Sequence, residues 1–280
     1  MTERLDAGPG PGRLDPGDVA GADLLTGDLE LVGRLRTASN ATFVARIGEV
    51  TVVYKPVAGE APLWDFPDGT LANREVAAYL VSESFGWDVV PPTWLRDGPH
   101  GPGMVQRWQE PDPAQDPVDV VPADGAADDG GVAGPAAPRT VLEGLDEDDH
   151  PVRLVHEDSA ALRRMAVFDV VVNNADRKGG HVLPMPDGHR FGVDHGVTFH
   201  EEHKLRTVLW GWAGEPLDAD ELAGVERVRA DLDGALGDRL AGLLTGDEMA
   251  ALRGRCDRVL RAARFPFPEG PMPSVPWPLF

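Results

Sequence analysis

The sequence predicts an α+β protein with two lobes, a small lobe of mainly antiparallel β-sheet and a larger, mainly helical lobe. Residues 23–109 contain β-branched runs separated by turn signals, and apolar residues recur at helical spacing within 140–264. Between these two regions, 110–139 is an acidic tract of Pro, Ala and Gly with almost no large apolar residue. We interpret this tract as a linker or an insertion, because it offers too little apolar surface to form a core.

The composition is that of a globular protein with a strong excess of acidic residues. Of 280 residues, 26 are Lys or Arg and 47 are Asp or Glu, which gives a formal net charge of −21. This charge argues against a general nucleic-acid-binding protein and against attachment to anionic lipid, but it is compatible with a local basic pocket for a nucleotide. The single cysteine, Cys256, excludes an intrachain disulfide and is typical of a reducing compartment.

Both ends of the chain differ from the middle in composition. Residues 1–22 are rich in Gly, Pro and Asp, so we expect a disordered arm, and they lack the apolar core of a signal peptide. No stretch approaches the roughly 18 uninterrupted apolar residues of a membrane-spanning helix. We therefore expect a cytoplasmic protein without integral membrane association. Residues 265–280 are Pro-rich and include Trp277 and Phe280, which predicts an extended tail on the surface.

A β-hairpin is predicted near the start of the small lobe. Residues 43–47 and 50–56 are β-rich, and a Gly-Glu turn separates them. The small polar residues before the hairpin include Ser39 and Asn40. Backbone amides in such a loop could approach a phosphate, although an ordinary turn explains the same residues.

A lysine and a glutamate follow at places that suit a functional pair. Lys55 ends the second strand of the hairpin, and Glu75 lies in 69–83, which reads as a helix with Thr70 as its N-cap. Taken alone, each is better explained as a surface residue than as a functional one. Two further strand candidates complete the small lobe: 89–95 and 103–108.

The large lobe is organised around residues 168–183, which begin as an apolar run and end in a dense cluster of polar groups. A Pro-Asp-Gly-His turn then predicts a hairpin whose second strand leads into Asp194. We expect this hairpin to bring Asp176, His181 and Asp194 together. Two carboxylates and an imidazole suit a metal and a phosphate better than a core. Helices are expected at 158–168, 205–212, 218–236 and 247–263, with Asp218 and Thr245 as starts of the last two.

The charged residues follow the order that phosphoryl transfer requires. That reaction uses a lysine for the phosphates, a helix glutamate to orient it, an Asp for the attacking hydroxyl, a metal ligand five residues later, and a metal-binding Asp near a Gly. The chain offers these groups in that order: Lys55, Glu75, Asp176, His181 and Asp194. Each residue alone is a weak signal, but the ordered set on two suitable lobes predicts a phosphotransferase.

These motifs resemble those of a known superfamily. Residues 174–181 resemble the catalytic loop of the phosphatidylinositol 3-/4-kinase-like and HipA-like atypical kinases, and 193–196 resemble their metal-binding Asp-Phe-Gly segment. Residues 53–56 and 73–77 resemble their lysine strand and glutamate helix. The resemblance covers about 31–212 without the acidic tract, and points to an uncharacterised bacterial branch. It implies a two-lobe protein-kinase-like fold.

The resemblance also implies an activity and a role for each residue. The protein would be an ATP-dependent kinase that transfers the γ-phosphate to a hydroxyl of a protein, small-molecule or lipid acceptor. Asp176 would position or deprotonate that hydroxyl, and Lys55, held by Glu75, would bind the phosphates. His181 and Asp194 would bind Mg²⁺ or Mn²⁺.

Nucleotide contacts are implied in the small lobe as well. Ser39 and Asn40 would lie in the phosphate-binding loop. Backbone groups near Gln106, Arg107 and Trp108 would contact adenine between the two lobes.

Two alternatives remain open. His181 stands where these kinases usually have Asn, and imidazole suits Mn²⁺ or Zn²⁺ better than Mg²⁺. A catalytically weak nucleotide-binding or regulatory protein, which presents the acidic tract or the tail to a protein partner, is therefore the first alternative. The second is a histidine-rich metallohydrolase, because His195, His200 and His203 have the spacing H-x4-H-x2-H. Against it, the sequence lacks an H-E-x-x-H motif and a cysteine pair.

Overall fold

Ten β-strands and five α-helices form the described part of the chain, which comprises residues 24–35, 40–123, 137–270 and 273–280 of this computed structural model. The expected disordered arm at 1–22 and the candidate phosphate-loop residue Ser39 lie outside the described residues. The predicted α+β class, with a β-rich region and a larger helical region, is confirmed.

A five-stranded antiparallel sheet forms the β-rich region. Its strands are β1 (Leu29–Leu35), β2 (Thr42–Ile47), β3 (Val50–Pro56), β4 (Thr93–Gly98) and β5 (Gly101–Arg107). They lie in the spatial order β1-β2-β3-β5-β4, so the predicted hairpin of β2 and β3 is confirmed. The strand predicted at 89–95 begins only after Pro91 and Pro92, since proline has no N–H to donate to a ladder.

The helical region contains four helices: α2 (Ala160–Val172), α3 (Ala219–Asp231), α4 (Ala235–Leu240) and α5 (Gly246–Ala262). Asp218 and Thr245 start α3 and α5 as predicted, and each forms a reciprocal capping box with a glutamate three residues later. The helix predicted at 205–212 is wrong, because only Trp210–Trp212 forms a single 3₁₀ turn. The amides of Arg206 and Val208 donate instead to the carbonyls of Asn174 and Arg177, which holds this stretch extended along the neighbouring loop.

The helix that carries Glu75, α1 (Leu71–Phe85), packs into the core of the helical region. Phe85 stacks on Trp87 with ring centroids 4.4 Å apart and meets Phe168 of α2 edge-on. The sheet has a separate apolar cluster of its own. The small lobe expected at 23–109 therefore contributes its helix to the core of the larger region.

The N-terminus of α1 is capped by a residue other than the one predicted. Thr70 occupies the N-cap position, but its side chain makes no cap bond and donates to the carbonyl of Pro67. The carboxylate of Glu60 accepts from the amides of Leu71 and Ala72 at 3.1 and 2.8 Å. A carboxylate satisfies these free amides and also favours the positive end of the helix dipole.

The tract expected to be a linker at 110–139 contains a strand. Strands β6 (Val118–Pro122), β7 (Arg139–Leu145) and β8 (Pro151–His156) form an antiparallel sheet in the order β6-β8-β7. Val118 and Val121 are buried, so this part of the tract contributes to a core despite its composition. The short hairpin of β9 (Val182–Pro184) and β10 (Arg190–Gly192), which the Asp-Gly turn predicted, is confirmed.

The described part of the expected tail lies against the helical region without a regular element. The carbonyl of Ser274 accepts from the amide of Thr207 and the indole of Trp210, and the amide of Gly179 donates to the carbonyl of Leu279 at 2.8 Å. In the described part of the chain, none of the helices has the length and apolar character needed to cross a membrane.

Candidate active site

Lys55 lies at the end of β3 between a carboxylate of α1 and one from the segment that follows β10. Its Nζ is 2.6 Å from Oε1 of Glu75 and 2.7 Å from Oδ1 of Asp194. Burial alone would lower the pKa of Lys55, but the negative charges of Asp194 and Glu75 raise it above its ordinary value. The lysine is therefore a fixed cation, and the predicted contact with Glu75 is present.

Glu75 connects this lysine to the backbone of the segment that follows β10. Its Oε2 accepts from the amide of His195 at 2.9 Å, while its Oε1 contacts Lys55. Glu75 is 2% exposed, and burial raises its pKa while the nearby ammonium lowers it. A buried carboxylate needs such partners, so the three groups form one connected set.

The loop that carries Asp176 takes its shape from two asparagines at the end of α2. Asn173 adopts the left-handed conformation that ends the helix, with φ of 56°. Asn174 donates from Nδ2 to Asp169 at 2.9 Å, and its Oδ1 accepts from the amide of Asp176 at 3.0 Å. The side chain of Asn174 thus fixes the backbone at Asp176 relative to α2.

Asp176 lies beside a second cation. Its Oδ2 is 3.1 Å from Nζ of Lys178, and both side chains are less than one-third exposed. Burial raises the pKa of Asp176 above its usual value, with Lys178 acting in the opposite direction. A carboxylate that is more basic than usual is better able to take a proton from a hydroxyl.

The tautomer of His181 determines what it presents to Asp194. Its Nδ1 is 2.9 Å from the carbonyl oxygen of Asp176, and because a carbonyl only accepts, Nδ1 carries the hydrogen. Nε2 then directs a lone pair towards Oδ2 of Asp194, 3.4 Å away. Burial lowers the pKa of His181, which favours this neutral form. Two acceptors that face each other fit a cation between them.

His181 and Asp194 could supply only part of the coordination shell of a divalent metal. Among the described residues, no group of three or more His, Cys, Asp or Glu is arranged as a complete metal site. Mg²⁺ is commonly held by one or two protein ligands together with phosphate oxygens and water. His181 and Asp194 supply this number of ligands.

The backbone at Asp194 is strained. Asp194 has φ of 62°, a left-handed conformation that non-glycine residues rarely adopt. The charge of Lys55 holds the pKa of its carboxyl well below the usual range, so it is ionised at neutral pH. Its side chain is half-exposed and can therefore reach an incoming ligand.

Two residues that the sequence-based reasoning did not select form the centre of this region. Asp169 of α2 and Arg177 are fully buried and paired, and Arg177 contacts the segments on both sides of the site. A signal was present, because Asp169 is a charged residue inside the apolar run at 166–172. Lys178, beside Asp176, was also missed.

The candidate nucleotide contacts in the sheet region are partly occupied by other bonds. Asn40 lines the cleft with Lys55 and Asp194, but its Oδ1 accepts from the amide of Ala61 at 2.7 Å. The side chain of Gln106 is buried and donates to Thr93. The amides of Arg107 and Trp108 donate to the carbonyls of Pro92 and Thr51. These two amides therefore have backbone partners and are not free to contact a base.

Two of the three histidines of the alternative zinc site bind different partners. Nε2 of His195 accepts from Arg177 at 2.6 Å, and Nε2 of His200 donates to the carbonyl of Asp65 at 3.0 Å. Within the described ranges these histidines form no metal-binding group. The metallohydrolase alternative therefore gains no support from the geometry.

Comparison with known proteins finds a relative of similar length and solved structures of similar fold. No protein-family model matches the chain. Protein Rv2133c of Mycobacterium tuberculosis (strain ATCC 25618 / H37Rv) is 48% identical over 276 residues, which cover 92% of this chain and 95% of the relative. The Helicobacter pylori proinflammatory kinase CtkA is 11% identical with a TM-score of 0.42, covering 86% of this chain and 93% of that chain.

Another similar structure is HipA of a toxin–antitoxin system from Shewanella oneidensis MR-1, in complex with HipB and operator DNA. It is 11% identical with a TM-score of 0.38, covering 90% of this chain and 67% of that chain. Both likenesses concern the overall fold.

Proposed function

This chain belongs to the family of protein Rv2133c from Mycobacterium tuberculosis, and we propose that it is an ATP-dependent phosphotransferase of the phosphatidylinositol 3-/4-kinase-like and HipA-like type. The observation that carries the proposal is the direct connection of Lys55, Glu75 and Asp194, with Asp176 and His181 on the adjoining loop. This set has the groups that transfer of a γ-phosphate to a hydroxyl requires.

Lys55 binds the phosphates of ATP in this proposal. Its ammonium is fixed by Glu75 and is held beside Asp194, so it needs little rearrangement to face an anionic ligand. Pre-positioned charge of this kind is the main contribution of a protein to phosphoryl transfer. Asn40 lies in the same cleft and extends the phosphate-binding surface.

His181 and Asp194 hold the metal, Mg²⁺ or Mn²⁺. A bound metal would neutralise charge on the phosphates, and the neutral imidazole and ionised carboxylate are the forms in which these residues ligate. The contact between Nδ1 of His181 and the carbonyl of Asp176 orients the ring towards Asp194.

Asp176 orients the acceptor hydroxyl and takes its proton. Its burial and raised pKa support the role of a base. Lys178, 3.1 Å from the same carboxylate, is placed to stabilise negative charge on the phosphoryl group as it moves to the acceptor.

The proposal is tested with purified protein in two steps. Thermal unfolding is followed with ATP and each of Mg²⁺, Mn²⁺ and Zn²⁺, because a ligand of the native state raises the apparent stability. Release of ADP and transfer of labelled γ-phosphate to candidate acceptors are then measured. Asp176→Ala should abolish transfer and leave nucleotide binding largely intact, whereas Asp194→Ala should also weaken metal-dependent binding.

Asp187→Ala, on the exposed turn between β9 and β10, is the matched control and should behave as the wild type. Wild-type transfer rates in both site variants would refute the assignment. The assignment would also be refuted if ATP did not stabilise the wild-type protein with any of the three metals.

A second candidate function follows from His181 alone. Since imidazole replaces the usual amide ligand, the site could bind nucleotide and metal with little turnover and act through a protein partner. Stabilisation by metal and ATP without transfer to water or to any acceptor would favour this regulatory role.

A further inference from the structure

We propose that Arg177, held by Asp169, is a positioning residue that fixes the loop of Asp176 against the segment of Asp194. The inference deepens the phosphotransferase proposed above and rests on it for its kinetic consequences. Arg177 would keep the loop of Asp176 and the segment of Asp194 in a fixed relative position, without touching the substrate itself.

The anchor of this arrangement is a buried ion pair with fork geometry. Nε of Arg177 lies 2.9 Å from Oδ2 of Asp169, and Nη2 lies 2.8 Å from Oδ1. Both side chains are 0% exposed. Asp169 belongs to α2 and also accepts from Nδ2 of Asn174, so the guanidinium has a fixed place relative to the helix.

The remaining donors of Arg177 reach both segments of the site. Nη1 donates to the carbonyls of His181 and Val193, each at 3.2 Å. Nη2 donates to Nε2 of His195 at 2.6 Å. Arg177 therefore contacts the backbone carbonyl of His181, which is one proposed metal ligand. It also contacts Val193 and His195, which flank the other proposed ligand, Asp194.

Only an arginine can make this set of contacts. A guanidinium has five donors in one rigid plane, whereas a lysine has a single flexible ammonium. The backbone leaves room for it at Gly192, where an added Cβ would lie 2.9 and 3.0 Å from Nη2 and Nη1 of Arg177. Gly192 precedes Val193 directly, so the glycine permits the close approach of the guanidinium to this strand.

A contribution to the stability of the fold does not explain why this ion pair is buried here. A buried ion pair can often be replaced by apolar residues of similar volume without loss of stability, since removing two charges from water is costly. Besides pairing with Asp169, the guanidinium of Arg177 donates to groups of the two segments that carry the proposed metal ligands. The contacts thus order the site more than they hold the fold together.

The deciding experiment removes both buried charges at once. The double variant Asp169→Leu/Arg177→Met leaves no unpaired buried ion and is expected to fold. Its rate of transfer should fall about 10²-fold, the scale associated with a misplacement of about 1 Å. The Mn²⁺ concentration at which ATP stabilises the protein half-maximally should rise about 10–100-fold. Loss of a residue that orients metal ligands typically weakens metal binding by this factor.

A matched control uses another buried pair with the same fork geometry. Nε and Nη2 of Arg190 each lie 2.9 Å from Glu157, and the two side chains are 6% and 1% exposed. Arg190→Met/Glu157→Leu removes two buried charges without touching Arg177. This variant should keep the wild-type transfer rate and metal dependence.

Amide hydrogen exchange provides a readout that is independent of activity. Both 174–183 and 192–197 should exchange faster in the Asp169→Leu/Arg177→Met protein, and neither should change in the control. A folded double variant with wild-type exchange in both segments and wild-type metal dependence would overturn the inference. If the wild type showed no transfer, the proposed function would fail, but exchange would still decide whether Arg177 couples the two segments.

A second variant covers the case in which the double variant does not fold. Gly192→Ala keeps both charges and adds one methyl group against the guanidinium. It should raise the Mn²⁺ requirement and speed up exchange in both segments, by less than the double variant would. Unchanged exchange and metal dependence in this protein would count against the inference.

Discussion

The ammonium of Lys55 lies 2.7 Å from a carboxylate oxygen of Asp194, although the two residues are 139 positions apart in the chain. Lys55 belongs to β3 of the sheet, and Asp194 follows the β9–β10 hairpin of the helical region. Glu75 accepts from the same ammonium, so one cation is shared by carboxylates from two distant segments. Lys55 also keeps Asp194 ionised by lowering its pKa, so the residue proposed to bind the metal depends on the one proposed to bind the phosphates.

Lys55→Met is expected to lower the transfer rate by about 10²–10³-fold, the scale for loss of one pre-positioned electrostatic donor. The change removes the cation for the phosphates and leaves Glu75 and Asp194 without their shared partner. Steady-state rates of γ-phosphate transfer measure the effect.

The control for this change is Lys204→Met, which removes a lysine of similar exposure that pairs with Asp65 at 3.0 Å. It should leave the rate unchanged. Equal rates for the two variants would show that Lys55 is not the phosphate-binding lysine.

His181→Asn is expected to shift the metal preference towards Mg²⁺. An amide oxygen is a harder ligand than an imidazole nitrogen, and hard oxygen ligands favour Mg²⁺ over Mn²⁺ relative to imidazole. The ratio of transfer rates with Mg²⁺ and with Mn²⁺, at saturating ATP, measures the preference. His150→Asn, on the exposed turn between β7 and β8, is the control. A ratio that is the same in all three proteins would exclude His181 as a metal ligand.

The features that the sequence predicted correctly depend on residues close to each other in the chain. The β2–β3 hairpin follows from two β-rich runs and a Gly-Glu turn, and the β9–β10 hairpin from one Asp-Gly pair. The caps Asp218 and Thr245 act on amides three residues away. Such signals can be read without knowledge of the tertiary structure.

The features that were missed depend on partners far away in the chain. Glu60 caps a helix that begins 11 residues later, and β6 becomes a strand because it pairs with β8. Asp169 and Arg177 were not selected because the sequence does not show which groups Arg177 contacts. Those contacts form only when β10 and the segment after it pack against the guanidinium. The order of the charged residues led to candidate site residues, of which Lys55, Glu75 and Asp194 are in direct contact. The buried ion pair between the two segments could be found only from the structure.

The stability of the protein is expected to fall between pH 6.5 and 4 partly because of His156. Burial lowers the pKa of His156 from 6.5 to about 4, since its ring is 0% exposed beside Trp212. In this window the unfolded state binds more protons than the folded state, so the free energy of unfolding decreases as the pH falls. One such histidine contributes about 3 kcal/mol over the whole window.

His156→Gln tests this contribution, because an amide does not titrate in the window. Urea unfolding at several pH values should give a smaller slope of unfolding free energy against pH than in the wild type. Some slope remains, since burial also lowers the pKa of His195 and His203. An identical slope would mean that His156 is protonated in the folded protein at its ordinary pKa.

The contact between the tail and the loop that follows Asp176 can be tested with two adjacent glycines. An added Cβ at Gly179 would overlap the ring of Phe280, whereas one at Gly180 would lie 3.8 Å from the nearest atom. Gly179→Ala should therefore displace Phe280 and break the 2.8 Å bond from the amide of Gly179 to the carbonyl of Leu279. Gly180→Ala is the matched control, since it adds the same methyl group in the same loop.

Limited proteolysis measures this displacement, because a chain segment that leaves its packing site becomes accessible to a protease. We expect cleavage within 273–280 to be faster in Gly179→Ala than in the wild type and unchanged in Gly180→Ala. Thermal unfolding shows whether the rest of the fold is intact. Equal cleavage in the two variants would mean that Phe280 does not pack on Gly179 in solution, whereas faster cleavage in Gly179→Ala alone would establish that this loop supports the tail.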